Sequence, residues 1–104
     1  MENNEWSIIF EDLAKIDLQE IYNWYEAEQF GLGDLFFDEV EKTVEKIKRN
    51  ALFASKLDEE TRGARLRRFP YHIIYLTEAK NLVVYVIAIT HLHREQDWYK
   101  SRYK

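Results

Sequence analysis

The sequence predicts an α+β fold of the order β-α-α-β-β-β, a helical hairpin packed on one face of an antiparallel sheet, with a short C-terminal helix or tail. Three observations predict it. Hydrophobic residues alternate at the N-terminus, recur at helical spacing as far as residue 50, and return to strand-like runs after residue 61. Two of the three glycines fall in "FGLGD", between the two helical stripes.

In "EWSIIF", Trp6, Ile8 and Phe10 alternate with Glu5, Ser7 and Ile9, as in a strand with one buried face. Asp12 marks a helix start. Ala14, Leu18, Ile21 and Tyr25 then define an amphipathic helix from Leu13 to about Glu28, with Lys15, Asp17, Glu20 and Glu26 on its polar side. "FGLGD" reverses the chain and places Asp34 to cap a second helix. That helix carries Phe36, Phe37, Val40, Val44 and Ile47 through about Asn50, and the short loop makes the two helices neighbours. Residues 51–61 lose periodicity and read as a surface connection.

"GARLRRF" reads as a second strand with Arg65 and Arg67 on one face. "FPYH", around the single proline, is a tight turn, because proline presets φ and has no N–H for a ladder. "YHIIYLT" and "LVVYVIAIT" are the third and fourth strands, joined by "EAKN"; Tyr71, Tyr75 and Tyr85 read as packing residues. The last strand is apolar from Leu82 to Ile89, so both its faces need cover. The helical hairpin covers one. The tail, with Trp98, Tyr99 and Tyr103, either closes the other or leaves an apolar patch for a partner.

The 104 residues fit one domain, 1–104, and 46% hydrophobic content is that of a folded chain. The absence of cysteine excludes a disulfide framework and a thiolate zinc site. With no leader and no apolar run near ~18 residues, the expectation is a cytoplasmic protein that does not enter the membrane. Net charge is −4, but residues 1–60 hold 16 acids against 6 bases, and residues 61–104 hold 3 against 9. Four arginines and no acid lie between Thr61 and Thr77. That half suits an anionic partner. His72, His91 and His93 lack carboxylates or thiols at ligand spacing, so neither metal nor cofactor is expected.

The element order, "RFPYHIIY", the apolar fourth strand and "THLHREQDW" together resemble the RelE/ParE superfamily of toxins from bacterial type II toxin–antitoxin systems. The resemblance covers nearly the whole chain and includes "DLQEIYNWY" in the first helix, Arg62 with Arg65 entering the second strand, and His91 three residues before Arg94. It implies a growth-arresting toxin neutralised by a cognate antitoxin, whose C-terminal segment lies over the toxin's sheet and helices, and hence a heteromer with that antitoxin. Arg62, Arg65, Arg67, Arg68, His91, Arg94 and Trp98 are the implied contacts for target or antitoxin.

Two branches of the superfamily imply two mechanisms. Toxins similar to RelE cut messenger RNA on the ribosome without metal, which requires a base for the 2′-OH, cations for the charge developing at phosphorus, and an acid for the leaving oxygen. The matching catalytic candidates here are His72, Arg94 and Tyr99, with Arg65 and Arg67 to hold phosphates. No lysine lies between Lys56 and Lys80, where RelE-like enzymes tend to carry a catalytic pair. Toxins similar to ParE bind DNA gyrase, with no chemistry of their own, and "RFPY" with the H-x-x-R ending is closer to that branch. A degenerate, non-toxic binding module is the remaining alternative.

Overall fold

The computed structural model describes residues 5–94 and 98–103; part of the "THLHREQDW" motif, residues 95–97, lies outside them. Its elements are β1 (Ser7–Phe10), α1 (Asp12–Glu28), α2 (Leu32–Arg49), β2 (Ser55–Lys56), β3 (Thr61–Arg65), β4 (Tyr71–Glu78), β5 (Val83–His91) and a C-terminal 3₁₀ helix (Trp98–Arg102). They form a two-layer α+β structure, the helices lying on a five-stranded sheet ordered β1-β5-β4-β3-β2. Three strand pairs are antiparallel, but β1 runs parallel to β5, with Ser7 opposite Val83, so the sheet is mixed rather than wholly antiparallel. Alternation marks a strand without setting its direction, and β1 is separated from β5 in the chain by both helices and three strands. The aperiodic connection also supplies β2, two residues that pair with Arg62 and Gly63.

The helices meet where glycine permits it. A Cβ at Gly33 would lie 2.8 Å from the Tyr22 carbonyl oxygen, so the start of α2 approaches α1 more closely than a larger residue allows. Gly31 takes φ of 87°, the left-handed conformation that glycine adopts at no steric cost. The Gly31 and Gly33 N–H groups donate to the Glu26 carboxylate, each at 2.9 Å. This corrects the expectation that Asp34 caps α2. Glu26 reaches back from α1 to the free N–H groups, while Asp34 lies inside the first turn and accepts the Tyr22 hydroxyl at 2.8 Å.

One face of the sheet packs Ile73, Tyr75, Val84, Val86 and Ile89 against Phe36, Val40 and Ile47 of α2 and Ala14 of α1. The Tyr75 hydroxyl donates to the Ala51 carbonyl at 2.7 Å inside this core. The second face carries Ile74, Ile87 and Ala88, and the tail covers them: Tyr99 is 3% exposed there, with Trp98, Tyr103, Leu57 and Leu76 around it. The apolar patch that the sequence left open for a partner is therefore sealed by the chain's own end.

Side chains complete the sheet edge that β1 leaves unfinished. β1 stops at Phe10, opposite Val86, and a register shift at Ile74/Tyr75 leaves Ile87 without a partner on β4. Past that point the Ile89 N–H donates to Asp17 Oδ2 at 3.0 Å, and Arg102 Nη1 donates to the Ile87 carbonyl at 2.8 Å. Asp17 and Arg102 in turn form a two-pronged ion pair at 2.7 and 3.2 Å, each side chain 15% exposed. Among the described residues no helix is long and apolar enough to cross a membrane.

Candidate functional site

Because β3, β4 and β5 are successive antiparallel neighbours, the end of β3, the start of β4 and the end of β5 share one end of the sheet. The register aligns Arg65 with His72 and His72 with Thr90 in one row, and Tyr71 with His91 in the next. The turn between β3 and β4 is held by backbone bonds from Leu66 N–H to Tyr71 O and from Leu92 N–H to Pro70 O, both 2.9 Å. Leu66 and Phe69 are buried, so Arg67 and Arg68 of the same turn stand in solvent, Arg68 with φ of 71°.

Arg65 and Arg67 do not share a strand face. Strand geometry ends at Arg65, and the buried anchors Leu66 and Phe69 turn the chain, so that Arg67 lines a cleft of about 360 Å³ with Lys42, Lys46 and Arg49 of α2. Arg62 is engaged in the fold: its guanidinium donates to the Leu52 and Ala54 carbonyls at 3.2 and 2.7 Å, stapling the connection after α2 to β3.

The catalytic candidates are arranged for different tasks. Burial, and secondarily the neighbouring Arg65 charge, push the His72 pKa below its ordinary value, so its imidazole is neutral at pH 7. Tyr99 is packed on Ile74, Ile87 and Ala88 and is not presented to a substrate. The Arg94 guanidinium lies 3.7 Å from the Trp98 ring centre and that of Arg102 lies 4.5 Å from it, so Trp98 joins both cations to the tail. His91 turns an edge to Tyr71 at 5.3 Å, and its Nδ1 accepts the His93 N–H at 3.1 Å. Among the described residues no group of three or more His, Cys, Asp or Glu side chains is placed to hold a metal. Asp17, Glu20, Tyr71, Thr90, His91 and Arg94 line a small cleft of about 210 Å³ between α1 and β5.

Sequence reasoning missed three features. The spacing of Lys42, Lys46 and Arg49 is legible as one helix face, but Arg67 opposite them is not. Asp17 and Arg102 stand 85 positions apart, with no local signal to join them. The third is an apolar groove of about 480 Å³ along the outside of the hairpin, floored by Phe10, Leu18, Phe37, Val40 and Val44 and rimmed by both lysines (Lys15, Lys42, Lys48) and acids (Glu41, Glu45).

Residues 8–98 match the family described as the ParE toxin of type II toxin–antitoxin system, parDE. The fold is similar to a chain of the chromosomal ParDE toxin–antitoxin system of P. aeruginosa, at 17% identity and TM-score 0.73, covering 86% of this chain and 98% of that one. It is also similar to a mutant of the E. coli toxin RelE in the free state, at 17% identity and TM-score 0.69, covering 94% and 93%. The toxin–antitoxin complex RelBE2 of Mycobacterium tuberculosis supplies a third likeness, at 19% identity and TM-score 0.63, covering 84% and 98%. No curated protein matches the chain by sequence.

Proposed function

The chain belongs to the ParE toxin family of type II toxin–antitoxin systems, and on that premise we propose that it arrests growth in the cytoplasm by binding DNA gyrase and is neutralised by a cognate antitoxin. The observation that carries a binding role over chemistry is the placement of the catalytic candidates. RNA scission needs a base, an acid and cations converging on one phosphate. Here Tyr99 of the tail is buried against the sheet and Arg94 is stacked on Trp98. Purified toxin added to gyrase should inhibit supercoiling in a dose-dependent way; unchanged supercoiling over a wide concentration range would refute this reading.

What the fold leaves open supports one place for the antitoxin. With the second sheet face sealed, the groove of Phe10, Leu18, Phe37, Val40 and Val44 is the apolar surface that an amphipathic segment fits. Each Å² of apolar area covered there contributes about 25 cal/mol. One observation favours the ribosome-dependent endoribonuclease as a second reading: neutral His72 lies across from Arg65, a base beside a cation. New 5′ ends within coding regions after induction, detected by primer extension, would establish it. Normal growth under strong expression without antitoxin would instead point to a non-toxic binding module.

A further inference from the structure

The cleft between α2 and the β3–β4 turn is chemically unlike the apolar groove on the other side of α2. Lys42, Lys46 and Arg49 fall at successive turns of one helix face, and Arg67 faces them from the turn. At 1.5 Å rise per residue the helical row spans about 10 Å. The remaining lining is Glu39, Thr43 and Glu45, so no apolar or aromatic side chain faces the space. Both acids are paired: Glu39, whose side chain is 8% exposed, holds Lys42 at 3.5 Å, and Glu45 holds Lys48 at 3.5 Å. Lys46, Arg49 and Arg67 form no ion pair with any described residue and leave the cleft cationic.

We propose that this cleft binds the phosphate backbone of duplex DNA through Lys46, Arg49 and Arg67, with Lys42 held beside them by Glu39. A protein partner needs an apolar or aromatic anchor at the centre of its interface, and the cleft has none. A single-stranded nucleic acid needs aromatic platforms for its bases, and the cleft has none of those either. A duplex needs only charge at fixed spacing. Lys46, Arg49 and Arg67 supply three such charges, enough to neutralise about three phosphates. The choice of DNA over duplex RNA rests on the gyrase reading, since gyrase works on duplex DNA.

The test is fluorescence anisotropy of the full chain with a labelled DNA duplex over a series of salt concentrations. Neutralising three phosphates predicts that the logarithm of the binding constant falls against log salt with a slope of about −2.7. Each of Lys46→Gln, Arg49→Gln and Arg67→Gln should reduce that slope by about 0.9. Lys80→Gln, in the exposed turn at the opposite end of β4, should leave it unchanged. Circular dichroism melts of each variant separate lost binding from lost fold. Absence of binding at low salt, an equal effect of Lys80→Gln, or tighter binding of a duplex RNA or an acidic peptide than of DNA would overturn the proposal. Gyrase assays on the same preparations keep the two readings apart. Inhibition of gyrase without DNA binding sinks only the cleft; DNA binding without inhibition sinks only the gyrase reading.

Discussion

Asp58 anchors both the connection before β3 and the tail. Burial pushes its carboxyl up, but the Glu60 N–H, the Tyr103 hydroxyl and the Thr61 N–H outweigh that and hold it at about 2, below the ordinary 3.8. With the folded value depressed, the stabilisation is full above pH 3.8 and is lost as pH falls toward about 2. The Tyr103 hydroxyl is correspondingly pushed up to about 12, by burial first and then by Asp58. Tyr103→Phe removes one of the three donors. The Asp58 carboxyl should then titrate closer to 3.8 in an NMR pH series, and the variant should lose less stability than the parent between pH 3.8 and about 2. An unmoved Asp58 titration would mean that the backbone N–H groups alone set it.

At the scale of elements, the contact between α1 and α2 depends on a missing side chain. Gly33→Ala places a methyl group against the Tyr22 carbonyl and the Glu26 carboxylate, and should cost about 1–3 kcal/mol in a denaturant melt through forced separation of the helices. A neutral outcome would show that the hairpin opens freely. The tail depends on a longer-range pair. Removing either Asp17 or Arg102 strands a charge and a β5 backbone group, which should cost about 2–3 kcal/mol, below the range for fully buried pairs because both side chains retain some water. The double variant Asp17→Ala/Arg102→Ala should lose less than the sum of the single changes, since the two groups are bonded. Strict additivity would show that they act separately.

Across the whole molecule, charge counted along the chain and charge distributed in space differ. The N-terminal sixty residues are strongly acidic, yet three of their cations, Lys42, Lys46 and Arg49, meet Arg67 in a single cleft. Arg65 and Arg68 stand at the same end of the sheet, exposed. Arg65→Glu combined with Arg68→Glu should therefore reduce growth arrest after induction. Its effect on stability should stay within about 0.5 kcal/mol per site, as for other surface substitutions. Equal loss of toxicity and of melting temperature would assign both arginines to the fold.

The amino-acid pattern alone determined both helices, the three long strands and the superfamily resemblance, because each depends on periodicity or on a short contiguous motif such as "RFPYHIIY". It also placed the cations near one turn. Tertiary structure alone decided the parallel pairing of β1, the closure of the second sheet face by Tyr99, and the commitment of Arg62 to the Leu52 and Ala54 carbonyls. It separated Arg65 from Arg67 in the same way. The physical reason is common to all of these: each is a contact between segments distant in sequence, or a choice between burial and exposure. Local spacing carries no information about which distant group satisfies a hydrogen bond or removes an apolar side chain from water.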